Sequence, residues 1–98
     1  MTIEIKRNAD VVTVEPSGRL DTTTAPALEK TLSVDLADAT NIVLDLKSLE
    51  YVSSAGLRVF LGAQKRMMKV GSLRLINVNA DIMEIFEITG FVDILTIG

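Results

Sequence analysis

The 98-residue chain has no cysteine, no histidine and no tryptophan. Without cysteine there can be no disulfide and no thiolate metal site, which fits a reducing compartment. Without histidine no Ser-His-Asp relay can be assembled within the chain, and the Gly-x-Ser-x-Gly elbow of serine hydrolases is absent as well. Metal binding lacks its usual nitrogen and sulfur ligands, and no calcium-loop spacing occurs. No apolar run approaches the ~20 residues of a membrane span, and Met1-Thr2-Ile3-Glu4-Ile5-Lys6 reads as a strand and not as a signal peptide. Linkers, repeats and low-complexity tracts are missing too. The expectation is a cytoplasmic chain that is not an enzyme, inserts in no membrane and needs no cofactor.

What is present is enough for one core. Apolar residues make up 48% of the chain, and the mean hydropathy is positive, so residues 1–98 are read as a single domain. Charge is uneven. Between Ser54 and Val70 stand four basic residues and no acid, leaving six basic against thirteen acidic residues elsewhere. A basic helix on an acidic body argues against direct nucleic-acid binding.

Hydropathy periods set out the elements. Ile3 and Ile5 alternate with Glu4 and Lys6, and a turn at Asn8-Ala9-Asp10 leads into Val11–Glu15, predicting an antiparallel hairpin closed by Pro16 and Gly18. Thr24 reads as the N-cap of a helix with Pro26 in its first turn and Leu28, Leu32 and Leu36 along one side. Ile42–Leu46 reads as a central strand covered on both faces. A helix is expected from Ala55 to about Lys69, ending near Gly71, then a strand over Leu73–Val78. Asp81 and Glu84 have capping-box spacing for a third helix with Ile82, Ile85 and Phe86 inward, stopped by Gly90. Ile94–Ile97 is expected to add a short last strand. Strands alternating with helices require crossover connections, so the fold class is α/β with a mixed sheet that opens on a hairpin.

Two features carry the functional reading. Ser53 and Ser54 stand where a turn opens the basic helix, and a hydroxyl beside the positive end of a helix dipole suits either a cap or a covalent phosphate. On that helix Arg58, Lys65, Arg66 and Lys69 share an arc of about 100°. The apolar arc spreads to about 200°, twice what holding a surface helix requires, so Val59 and Ala63 are expected to meet a partner or a neighbouring loop besides the core. Asp21 reads as a turn or cap residue, and Asp45, in an apolar strand, needs a hydrogen-bond partner if buried.

The combination of Gly18-Arg19-Leu20-Asp21, Ile42-Val43-Leu44-Asp45-Leu46 and Val52-Ser53-Ser54-Ala55-Gly56-Leu57 resembles the STAS domain of bacterial anti-sigma factor antagonists over nearly the whole chain. The resemblance implies that Ser54, two residues before Gly56, accepts a phosphate. Ser53, which stands where many members have aspartate, is the alternative acceptor. It implies that Asp21 lies near this turn at the partner-facing end, and Ser53, Ser54 and Gly56 of the turn are taken with it as partner-binding residues; Arg58, Val59 and Lys65 join them from the basic and apolar arcs of the helix that follows. The implied partners are an anti-sigma factor serine kinase with an ATP-binding fold, bound only by the unphosphorylated domain, and a phosphoserine phosphatase that restores it. The alternative is a non-phosphorylated STAS binding subunit of a lipid-transport ATPase complex.

Overall fold

The computed structural model describes residues 1–98. The elements are β1 (Thr2–Asn8), β2 (Val11–Leu20), α1 (Ala25–Lys30) continuing into a π-helical turn (Thr31–Asp35), β3 (Asn41–Asp45) and β4 (Leu49–Val52). They continue with α2 (Ser54–Val70), β5 (Ser72–Ile76), α3 (Ala80–Thr89) and a 3-10 turn (Phe91–Asp93). The sheet order is β1-β2-β3-β5, with β4 also paired to β2. β1 and β2 are antiparallel, and every other pairing is parallel, so the expected mixed α/β sheet forms.

β2 organises the domain. Pro16 and Gly18 do not close it, as the sequence suggested. The strand runs on to Leu20 because it changes partner, from β3 at Val11–Val14 to β4 at Gly18–Leu20. Pro16 falls in the gap between those partners, where a missing N–H breaks least of the ladder on that side. Gly18 has φ +89° at the register shift, a left-handed conformation that a side chain would strain. β4 was not legible in the sequence; it exists because this extension of β2 offers it an edge.

The helices cover one face of the sheet only, which corrects the expectation of a two-sided β3. Ile42 and Leu44 are buried under the helices, whereas Val43, on the opposite face, is half-buried. Leu28, Leu32 and Leu36 line the buried side of α1 and the π turn as their spacing predicts, and Phe60 of α2 meets Phe86 of α3 edge-to-face at 6.1 Å. Asp45 finds the partners it needs. Its Oδ1 accepts from the Asn77 side-chain amide (3.0 Å) and the Lys47 N–H (3.2 Å), and Lys47 Nζ lies 3.7 Å from Oδ2.

Two helix starts and the last strand differ from expectation. Thr24 occupies the N-cap position of α1, but its side chain makes no cap bond; the first helical N–H, that of Ala25, donates to Asp21 C=O at 2.8 Å, and Asp21 Oδ1 accepts the N–H of Thr24 itself at 3.2 Å. Asn79, and not Asp81, caps α3, accepting the Ile82 N–H at 2.9 Å, while Gly90 ends that helix in the left-handed conformation as predicted. The expected strand at Ile94–Ile97 reduces to a single bridge between Leu75 and Ile97 beyond the 3-10 turn. Gln64, buried on α2, holds this segment through Thr96, to whose hydroxyl and N–H it bonds at 3.3 Å each.

Candidate functional site

Two connections meet at the C-terminal ends of β2 and β4. The Ser53 N–H donates to Leu20 C=O at 2.8 Å, which sets the turn before α2 beside the loop that begins at Asp21. Gly56 tightens this junction. A Cβ there would lie 2.7 Å from both Leu20 Cγ and Val52 Cγ2, so only glycine lets the first turn of α2 approach the two strand ends. Gly56 is buried and acts by close packing, a correction to its expected place on the partner surface.

The β2–α1 loop is internally bonded. Asp21 Oδ1 accepts from the Thr23 hydroxyl (2.7 Å), the Thr23 N–H (3.0 Å) and the Thr24 N–H (3.2 Å). The Thr24 hydroxyl accepts the Asp21 N–H at 2.8 Å and donates to Arg19 C=O at 2.8 Å. The Thr23 hydroxyl holds the Asp21 carboxyl below its ordinary value against the opposing effect of partial desolvation, and the two amides add to the lowering. Arg19 flanks the loop, its Nε 4.0 Å from Asp21 Oδ2 and its guanidinium 4.1 Å above the Tyr51 ring. Arg19 and Tyr51 are register neighbours of β2 and β4, so sequence reasoning that missed β4 missed this pair.

The β4–α2 turn is the opposite case. Ser53, not Ser54, is the N-cap, with extended backbone and its C=O accepting the Leu57 N–H at 3.0 Å. Its hydroxyl makes no cap bond; Oγ is buried without a hydrogen-bond partner. The N–H groups of Ser54, Ala55 and Gly56 have no protein acceptor either. Ser54 is the first helical residue and is exposed. This corrects the picture of Ser54 as cap: the tie between Ser53 and Leu20 moves the cap one residue back and leaves the Ser54 side chain free.

Along α2, Arg58, Lys65 and Lys69 are exposed, and none of these or Arg66 has a carboxylate within ion-pair distance. Arg66 turns toward α1 and donates to Leu32 C=O. Val59 and Ala63 are only 7% and 6% exposed, because the helix of α1 and the π turn cover them. The broad apolar arc therefore seats α1, so of the two covers expected for Val59 and Ala63, a partner or a neighbouring segment, the chain itself supplies the second. A groove of about 260 Å³ remains between the two helices, walled by Glu29 and Ser33 on one side and Arg58 and Arg66 on the other.

A single helix-covered mixed sheet, with its serine turn and threonine-bonded aspartate loop at one end, defines a STAS domain. The chain belongs to the STAS domain family, whose model matches residues 2–98, and within it to the anti-sigma factor antagonists. It is 33% identical over 99 residues to the anti-sigma-B factor antagonist of Bacillus subtilis, covering 100% of this chain and 91% of that protein. To the protein of the same name in Listeria monocytogenes it is 34% identical over 100 residues, covering 99% and 88%. Among solved structures, an anti-sigma factor antagonist from Mycobacterium paratuberculosis superposes with a TM-score of 0.88 at 25% identity, covering 98% of this chain and 83% of that one. The Bacillus cell fate determinant SpoIIAA in its phosphorylated form superposes at 0.76 with 18% identity over 99% and 91% of the two chains, a likeness of fold. No helix is long and apolar enough to cross a membrane.

Proposed function

We propose that the unphosphorylated chain binds an anti-sigma factor, a serine kinase with an ATP-binding fold, and so releases a sigma factor in the cytoplasm. Phosphorylation of Ser54 by that kinase ends the complex, and a phosphatase restores it. The chain is then a kinase substrate and a binding module, not a catalyst. One observation carries this reading: Ser54 presents an exposed hydroxyl at the first position of α2, beside backbone N–H groups with no acceptor. A phosphate there meets the positive helix end and unpaired donors. Ser53 is a poor acceptor by the same geometry, since its Oγ is buried.

Intact-mass measurement after incubation with the cognate kinase and ATP tests the proposal. One added phosphate is expected, mapped to Ser54, with none on Ser54→Ala and full uptake by Ser53→Ala. Phosphate found chiefly on Ser53 or on Thr22 to Thr24 overturns the assignment. No phosphate under any condition, together with co-purification of a membrane transporter, points instead to the subunit of a lipid-transport ATPase.

A further inference from the structure

Gly62 is not explained by the packing of the domain. It lies in the middle of α2, where glycine weakens a helix relative to alanine. A Cβ at this position would meet nothing within 4 Å, in contrast to Gly56, where neighbouring side chains forbid one. The fold would therefore accept a side chain at position 62 and gain helix stability from it. The bare backbone is exposed in the groove between α1 and α2, flanked by Arg58 one turn before it and Arg66 one turn after it.

We infer that this groove docks an acidic amphipathic helix of the protein partner, laid along α2 with its backbone close over Gly62. Three observations select that occupant. The groove holds about 260 Å³, below the ~300–1,000 Å³ of small-molecule sites, but suited to side chains protruding from a second helix. The two cations that wall the groove, Arg58 and Arg66, lack carboxylate partners within the chain, as do Lys65 and Lys69 outside it, so a negatively charged partner helix complements them. Glu29 on the α1 wall sets the orientation, since like charge steers the partner's acidic side toward α2. Arg58 lies one turn beyond Ser54, so the groove continues the surface at which the serine turn operates.

The inference rests on the reading of the chain as a module that binds an anti-sigma factor. The probe is that purified anti-sigma factor, titrated into wild-type, Gly62→Ala, Gly62→Leu and Arg58→Glu proteins at several salt concentrations, with melting curves alongside. Gly62→Leu is expected to melt at or above the wild-type temperature, yet to bind at least tenfold more weakly, with Gly62→Ala between the two in affinity. Arg58→Glu is expected to bind more weakly and to flatten the dependence of affinity on salt. Tight wild-type binding that Gly62→Leu leaves unchanged overturns the groove and spares the preceding proposal. No binding by the wild-type protein overturns both.

Discussion

The two loops that meet at the site are opposites in hydrogen bonding. Between Asp21 and Thr24, one carboxylate and one hydroxyl take up the N–H groups of Asp21, Thr23 and Thr24 and the C=O of Arg19. Between Ser53 and Gly56, three N–H groups and a buried hydroxyl have no protein partner. The loops are joined by the bond from Ser53 to Leu20, so a self-contained clamp holds an under-bonded turn in place. Rigidity on one side and unused donors on the other suit the proposed switch, in which the site would hold its shape while a protein surface is exchanged for a phosphate.

The largest effect that would sharpen this contrast is expected at Ser54. Phosphate adds about −1.5 to −2 charges, which the helix end favours by roughly 0.3–1 kcal/mol while the acidic body opposes them. Phosphorylated protein and Ser54→Asp should therefore melt close to the unmodified domain. Affinity for the anti-sigma factor should fall a hundredfold or more, about 2.7 kcal/mol, because the charge is desolvated without a matched cation. Calorimetry beside titration separates the two. A large fall in melting temperature that matches the loss of binding would mean the switch acts by unfolding.

Next in size is Gly56→Ala. Its methyl group would overlap Leu20 and Val52, and overpacking of this kind costs ~1–3 kcal/mol, with each kcal/mol worth roughly 4–8 °C in a domain of this length. Because Leu20 adjoins Asp21, both loops should loosen together, seen as faster amide exchange at Thr23 and Thr24 as well as at Leu57. Faster exchange at Leu57 alone would break the coupling between them.

Acid should act on the clamp before it acts on the turn. The folded-state carboxyl of Asp21 titrates below the ordinary value of 3.8, so its contribution is fully present above the unfolded value and is lost as pH falls through the lower folded one. Asp21→Asn should lower the melting temperature at neutral pH, and the gap from wild type should narrow only below about pH 4. A gap independent of pH would assign the loop's stability to the threonines alone.

The smallest effect is expected at Ser53. Replacing an N-cap serine with alanine ordinarily costs about 0.5–2 kcal/mol. Here the hydroxyl makes no cap bond and is buried unpaired, so Ser53→Ala should be neutral or slightly stabilising in thermal melts. A loss of more than about 1 kcal/mol would show that the hydroxyl caps α2 in solution, and the contrast between the loops would shrink accordingly.

Residue order alone carried the hairpin, the three helices, the stop at Gly90, the need of Asp45 for partners and the basic side of α2. Each depends on neighbours within a few positions, where a period of two or 3.6 and a cap or turn residue suffice. Tertiary structure decided the rest. β4 forms because β2 passes Pro16 and shifts register at Gly18, and the strands it joins are some thirty residues apart. The same pairing moves the cap of α2 from Ser54 to Ser53, frees the Ser54 side chain and brings Arg19 over Tyr51. The burial of Val59 and Ala63 depends on where α1 lies, and local pattern says only that they are apolar. Periodicity assigns a residue to a face; which element covers that face is set by pairing between distant segments, and that is written in no single stretch of the chain.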